Sequence, residues 1–413
     1  MDEHMTFNRV GVGSIPICCI QIKYGGEVPL IYFDNSATTS VSPAAAKAAY
    51  DVMLNHWGNP DSKYSVGKDA KRIEDEATLA VKEYLGADDS SKVIFTSSGS
   101  ESNNLALTGL YNWYTANNKK CIVISTPIEH KSILRQPCVQ PIIPIDCEGM
   151  VDLAGLEILL EQYEYNGKFA VVSAMLASNE LGTINSAVAI ADVCHKHGAV
   201  FHCDATQAIG IAGKDIVKKS GVDMLTFSGH KIHAPKGIGV LYVRSGIDLQ
   251  PIIYGGQQMY GLRGGTPNTP YMAALTVALK EIDNSDAGKL IQFRTQIVDA
   301  ITDLGGVMSL GNPYFRIPGH ISLAIKGIDG EALMAMLDSD GICISTGSAC
   351  NSKSVEPSYV MRAIGVPDDY IYGVVRITLG NGTTQNQVNY LIERMKKHIA
   401  TLRMITRIKN GGV

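Results

Sequence analysis

From residue 31 onward, short apolar runs rich in β-branched residues alternate with segments whose apolar positions recur at helical spacing. Lys92–Thr96, Cys121–Ser125, Phe169–Ala174, Ala199–Cys203, Met224–Phe227 and Gly239–Val243 read as strands. Ser42-Pro43 opens a helix over Ala44–Leu54, with an N-cap residue followed by proline at the first helical position. Lys68–Leu85 reads as a helix stopped by Gly86, and Glu101–Tyr111 and Val188–Lys196 as two more. This alternation predicts an α/β fold with a mainly parallel sheet covered by helices on both faces. After about residue 285 the rhythm changes. A helix over Leu290–Leu304, strands at His320–Lys326 and Val374–Leu379, a short helix at Glu331–Leu337 and a final helix over Gln385–Ile405 predict a smaller α+β domain. In the final helix, Val388, Leu391, Ile392, Met395, Ile399 and Leu402 form one apolar stripe, with Lys396, Lys397 and Arg403 read as a solvated face. The expected division is an extension over 1–30, a large domain over 44–285, and a small domain made of 31–43 with 286–413.

Composition narrows the class. Charged residues make up 18% of the 413, below the ~25% usual for soluble domains, so part of the surface is expected to be buried in an oligomer. A formal net charge of −4 argues against a protein built to neutralise nucleic-acid backbone. The longest apolar runs, such as Phe169–Leu176, fall far short of the ~18 residues of a membrane span. The nine cysteines are odd in number and contain no Cys-x-x-Cys pair, which fits a reducing cytoplasm better than a disulfide framework. Residues 1–30 start with acidic residues, and their apolar stretch is broken by Gly11, Gly13 and Pro16. They read as a non-catalytic extension and not as a signal peptide.

Four segments carry candidate chemistry. In Thr226–Gly239 a strand runs into Ser228-Gly-His-Lys231, and desolvation of a lysine there favours the neutral amine that forms imines. Upstream, Phe201-His-Cys-Asp-Ala-Thr-Gln207 sets Asp204 at the carboxyl end of a strand, where open parallel sheets bind ligands. Pyridoxal phosphate needs a lysine to hold it as a Schiff base and a carboxylate to pair with its ring nitrogen, and Lys231 and Asp204 can supply both. Thr96-Ser-Ser-Gly-Ser-Glu-Ser-Asn-Asn104 opens a helix with free amides and hydroxyls suited to an anion. In Ser345–Ser352, Cys350 stands among small residues, as a reactive rather than a packing cysteine would. A fifth group, Cys194, His195, His197, His202 and Cys203, matches metal ligands by type but no zinc pattern by spacing, so no metal site is expected.

Together these segments resemble the cysteine desulfurases of the NifS/IscS type, first class. The resemblance runs from Tyr32-Phe-Asp-Asn-Ser-Ala-Thr-Thr39 to about Leu402. It is carried by Glu129-His-Lys131, Cys203-Asp-Ala-Thr-Gln207, Ser228-Gly-His-Lys231, Ser348-Ala-Cys350 and Glu356-Pro-Ser-Tyr-Val-Met-Arg-Ala-Ile-Gly365. It implies a fold-type-I pyridoxal-phosphate enzyme that converts L-cysteine to L-alanine and keeps the sulfur as a persulfide on Cys350. By the same resemblance Lys231 is the cofactor lysine, Asp204 the ring-nitrogen partner, Gln207 a donor to the phenolic oxygen, and His130 a catalytic residue stacked on the ring. Gly99, Ser100, Ser228 and His230 hold the phosphate, with Thr266 reaching it from the second subunit of a homodimer. Asn179 and Arg376 hold the substrate carboxylate, a role that suits the planar fork of arginine. Ser178-Asn179 and Ser98-Gly99-Ser100 depart from the family's Asn-Asn and Gly-Ala-Thr. The chain stops at Gly-Gly-Val, without the tail that engages an iron–sulfur scaffold. The expected partner is therefore a sulfur-acceptor protein of iron–sulfur assembly, tRNA thiolation or DNA phosphorothioation, with no membrane and no direct nucleic-acid binding. The alternatives are a selenocysteine lyase or another fold-type-I enzyme such as an aminotransferase, and a non-catalytic sulfur-binding scaffold.

Overall fold

The computed structural model describes residues 30–346 and 356–409. Its strands are β1 (Ile31–Tyr32), β2 (Lys92–Thr96), β3 (Cys121–Ser125), β4 (Val139–Gln140), β5 (Phe169–Met175), β6 (Val200–Asp204) and β7 (Met224–Ser228). They continue as β8 (Gly239–Val243), β9 (Val307–Ser309), β10 (His320–Ile325), β11 (Ile342–Cys343), β12 (Ser345–Thr346) and β13 (Val374–Thr378). Seven of them form one sheet in the order β2-β8-β7-β6-β5-β3-β4. Only β8 runs against its neighbours in that sheet. The carboxyl ends of β2, β3, β5, β6 and β7 therefore share one edge, and the turns that follow them build the site.

The mainly parallel sheet is as the hydrophobic pattern predicts, and each predicted strand lies within about a residue of an observed one. β6, β7 and β8 are buried along their whole length because helices cover both faces. The helix over Pro43–Asn55 starts where Ser42 Oγ accepts from the Ala45 amide at 3.0 Å. The helix over Ser65–Leu85 ends on Gly86 in the left-handed region. The pattern gave no separate reading of two helices, Leu153–Tyr165 and Thr269–Lys280. The second is apolar almost throughout, because it packs through Ala274 against Ala45 and Ala49 of the first helix.

A second sheet, β12-β13-β10-β9, has its own hydrophobic core. Val388, Leu391, Met395 and Ile399 of the helix over Gln385–Lys409 are fully buried in it, and Ile392 and Leu402 pack at its margin. Arg403 corrects the reading of a purely solvated face. Its guanidinium donates to the carbonyls of Leu304, Gly305 and Lys326 and so closes the end of the neighbouring helix, Ala287–Thr302. The early segment belongs to this second core: Ile31 and Phe33 are buried in it, and β1 pairs with β11. No helix among the described residues is long and apolar enough to cross a membrane.

Candidate active site

Asp204 ends β6 and is buried. Its Oδ1 accepts from the Thr206 amide at 2.9 Å, and its Oδ2 from Asn103 Nδ2 at 2.8 Å. Asn103 stands one turn inside the helix over Gly99–Ala116, which follows β2 at the same edge. Its amide also donates to Ser132 Oγ at 2.9 Å, and that hydroxyl lies 2.8 Å from His130 Nδ1. The Ser132 amide points at the same nitrogen at 3.1 Å. Two donors aimed at Nδ1 place the ring proton on Nε2. A line of hydrogen bonds thus joins His130 to Asp204 through two side chains, Ser132 and Asn103, to which the sequence gave no role.

Lys231 closes a single 3-10 turn after β7. It is half-buried and not engulfed, which tempers the expected desolvation. Its Nζ donates to the carbonyls of Ser36 and of Ala37, the latter at 2.9 Å. Gln207 Nε2 donates to the same Ser36 carbonyl at 3.0 Å. His230 Nδ1 sits 3.1 Å from Thr38 Oγ1, and its carbonyl accepts from the Thr39 hydroxyl at 3.0 Å. Burial, with Lys231 and Lys236 close by, pushes the His230 imidazole down to about 4. One segment, Ser36–Thr39, therefore lies across three of the residues assigned to the cofactor. Sequence reading had quoted this segment but given it no contact to them.

The turn after β2 opens a helix, as the sequence pattern predicts. Ser98 caps the helix that begins at Gly99, with its Oγ accepting from the Glu101 amide at 3.2 Å. A β-carbon at Gly99 would stand 3.1 Å from Thr206 Oγ1 and 3.6 Å from Ser228 Cβ, so glycine brings the backbone close to both turns. Ser228 is buried at the end of β7, and Ser100 is exposed on the first turn of the helix. Thr266 is exposed on the loop after Gly255. That loop is anchored in its own chain by Arg263, whose Nε donates to Glu101 Oε1 at 2.9 Å. Its residues Met259 and Tyr260 both take left-handed backbone angles, a strain of about 1–3 kcal/mol each that the Met259 contact to Phe95 helps to hold.

The second sheet supplies the remaining wall. Arg376, in the middle of β13, is 5% exposed. Its Nη1 donates to the Asn179 carbonyl at 3.0 Å, and its Nη2 pairs with Asp34 Oδ1 at 2.7 Å. Its Nε is buried and has no hydrogen-bond partner among the described residues. The Asn179 carbonyl also takes His320 Nε2 at 3.1 Å, and burial pushes that histidine down to about 3.

Cys350 lies outside the described residues. Among the described cysteines, burial pushes the Cys121 thiol up to about 12 and raises those of Cys138, Cys194, Cys203 and Cys343. The histidine–cysteine group read against metal binding is dispersed. Cys194 and Cys203 are buried in the core, His202 lies between Ser173 and Thr226, His195 meets Asp223 and His197 meets Glu164. Glu129 was passed over by sequence reading except as part of a motif. It is fully buried, with Oε1 accepting from Thr126 Oγ1 at 2.7 Å and from the Met175 amide at 2.8 Å. Burial pushes its carboxyl up to about 8, with Asp204 adding in the same direction.

A lysine and a buried carboxylate at the ends of adjacent parallel strands, beside a glycine-opened helix, fit pyridoxal phosphate. Residues 31–391 match the aminotransferase class-V family, whose members are pyridoxal-phosphate enzymes of fold type I. A cysteine desulfurase of Nostoc sp. is 36% identical over 393 residues, 92% of this chain and 96% of its own. The cysteine desulfurase IscS of Methanosarcina thermophila is 34% identical over 388 residues, 91% of this chain and 94% of its own. The solved structure of a NifS-like protein superposes with a TM-score of 0.80 at 30% identity, over 90% of this chain and all of that one. The chain belongs to the cysteine desulfurases of the NifS/IscS type, and it is a pyridoxal-phosphate-dependent enzyme.

Proposed function

We propose that the enzyme releases sulfur from L-cysteine, leaves L-alanine, and holds the sulfur as a persulfide on Cys350 until an acceptor protein takes it. The observation that carries this reading is the meeting of Asp204, Lys231 and Gln207 at one sheet edge, with Arg376 facing them across Asp34–Thr39. Lys231, Asp204, Gln207, His130, Gly99, Ser100, Ser228 and His230 would hold the cofactor. Bound there, pyridoxal phosphate supplies a sink for the electron pair released at the substrate's Cα. The protein's part is positioning and proton transfer. Arg376 and Asn179 fix the α-carboxylate, Lys231 moves the Cα proton, and Asp204 keeps a proton at the ring nitrogen. The Cys350 thiolate attacks the substrate's Sγ, the Sγ–Cβ bond breaks, and Cβ takes up a proton to become the methyl group of alanine. A thiol and cysteine go in, a persulfide and alanine come out, and no outside oxidant is needed. The raised pKa values of five other cysteines support Cys350 in this role, since the thiolate is the nucleophile.

The two-domain division at 44–285 and at 31–43 with 286–413 belongs to the same proposal, the larger part holding the cofactor and the smaller one the Cys350 segment. So does a homodimer. Tyr50, Met53, Leu54, Trp57 and Tyr64 are exposed on one stretch, and Tyr254 and Tyr260 on the loop of Thr266. Gln258 Nε2 ties that loop to Asp61 at 2.7 Å, which brings the loop to the stretch between Tyr50 and Tyr64. Apolar area of this kind marks an interface, and a second copy on it would bring Thr266 toward its neighbour's phosphate. Sedimentation of wild type and Trp57→Glu checks this: a dimer that the substitution splits is expected, and a wild-type monomer would be fatal to it. A reducing cytoplasm suits a chain whose chemistry is a free thiol.

The functional test feeds ³⁵S-labelled L-cysteine to the wild type and to Cys350→Ala. Label is expected on the Cys350 peptide of the wild type and on no cysteine of the variant, while the variant keeps the cofactor's visible absorption. Label on another cysteine at the wild-type rate would reassign the acceptor. Equal turnover of selenocysteine alone would favour the selenocysteine lyase.

A further inference from the structure

The guanidinium of Arg376 is buried, and the charged group bonded to it is Asp34. A buried guanidinium without a counter-charge would be costly, so the free enzyme needs such a partner. Asp34 is well placed to be one. It lies beside β13, bridged to Thr378 two residues along the strand that carries Arg376. The next residues are pinned to the same strand: Asn35 Nδ2 donates to the Thr378 carbonyl at 2.8 Å, and the Ser36 amide donates to Thr378 Oγ1 at 2.9 Å. The Asp34 carboxylate is thus delivered to Nη2 by backbone pairing and not by a flexible side chain reaching in.

The pair is monodentate. Asp34 uses Oδ1 on Nη2, the Asn179 carbonyl takes Nη1, and Nε is buried and unmet among the described residues. A planar fork that matches a carboxylate with two parallel bonds is here satisfied by one carboxylate bond and one neutral carbonyl. An incoming α-carboxylate can do better, but it must first meet the charge already there.

We infer that Asp34 is an internal stand-in for the substrate's α-carboxylate: it neutralises Arg376 in the free enzyme and yields to the substrate on binding. It thereby sets how tightly any ligand with a carboxylate is held. The inference rests on Arg376 being the carboxylate site. Two consequences separate it from a role in which Asp34 merely orients the arginine. Neutralising Asp34 should tighten carboxylate ligands, because they no longer displace a charge. It should leave ligands without a carboxylate untouched.

The test titrates the full-length holoenzyme and follows the cofactor's visible absorption, with L-alanine as the carboxylate ligand and 2-aminoethanethiol as the ligand without one. Asp34→Asn is nearly isosteric and keeps an oxygen to accept from Nη2, and its thermal unfolding is compared with wild type. L-Alanine is expected to bind roughly tenfold more tightly to Asp34→Asn, the scale of one charge-assisted hydrogen bond, with 2-aminoethanethiol unchanged. In an Arg376→Ala background the same substitution should change neither affinity. Equal or weaker L-alanine binding in Asp34→Asn would overturn the stand-in, as would a parallel change for 2-aminoethanethiol. If Arg376→Ala alone left L-alanine affinity unchanged, the carboxylate site itself would be misassigned and the stand-in would fall with it. A substituted enzyme that unfolds early is replaced by Asp34→Ala, to which the same outcomes apply.

Discussion

The two walls of the site hold their charges in different ways. On the large-sheet wall two short carboxyl groups are held by the large sheet's own segments. Asp204 is fixed by an amide two residues on and by Asn103, and burial in the core pushes the Glu129 carboxyl up to about 8. On the small-sheet wall the group is long, and its support comes from far along the chain, since Asp34 and Arg376 are 342 residues apart. On the first wall these two carboxyl groups are set once the large sheet and the Gly99–Ala116 helix have packed. The second exists only when distant segments have met. In the proposed reading, a firmly held wall suits a cofactor that stays, and an exchangeable ion pair suits a substrate that comes and goes.

Three changes would sharpen or break this contrast, taken in order of expected size. Lys231→Ala removes the group on the first wall that moves the Cα proton in the proposed mechanism. Turnover of cysteine should fall by about 10²–10⁴-fold or more, measured as alanine formed. Turnover at the wild-type rate would mean that the first wall is not the catalytic one. Arg376→Ala acts on the second wall and should weaken cysteine by about 2–5 kcal/mol, with little effect on cofactor retention. Arg376→Lys should recover only part of that, because an ammonium cannot make the fork. An equal loss of cofactor and substrate in Arg376→Ala would show that the walls are not separate in function.

The smallest change concerns Glu129. Its carboxyl is raised from the ordinary 4.5 to about 8, so the folded state favours the protonated form. The stability this gives is full below about pH 4.5 and is lost as pH rises through about 8. Glu129→Gln has nothing to ionise. Relative to it, the wild type should lose on the order of a few kcal/mol between pH 5 and pH 8, read by urea unfolding. A constant difference across that range would mean that Glu129 ionises without penalty.

The contrast also accounts for what could be read from the sequence. Asp204 and Lys231 are legible because Asp204 closes one strand and Lys231 stands three residues past the end of the next, and strand ends are where parallel sheets place ligand groups. Gly99 was visible for the same reason at a helix start. Asn103 sat in a quoted segment without a role, because its contact to Asp204 depends on how the Gly99–Ala116 helix packs on the sheet. Ser36 and Ala37 act through carbonyls, which every residue has and no side-chain pattern announces. Arg403 was taken for a solvated charge because periodicity tells which face a residue is on, and not which helix end lies beneath it. Asp34 pairs across 342 residues, beyond the reach of any local rule, and in the sequence it stands only within the segment where the resemblance begins.

The docking of residues 31–39 has a consequence in time. β1 pairs with β11, and the residues after it bond to Thr378, at the far end of the chain. Contacts of such separation form late, since they close a long loop before they return any stability. As the chain leaves the ribosome, the large sheet can assemble once Val243 has emerged, while its first residues wait for β13. The carbonyls that meet Lys231 and the carboxylate that meets Arg376 are therefore expected to arrive in one late event. Chains stalled before residue 374 should leave Lys231 open to acylating reagents, and full-length chains should protect it. The enzyme would then acquire its active site as a late step of synthesis, when residues 31–39 close over β13.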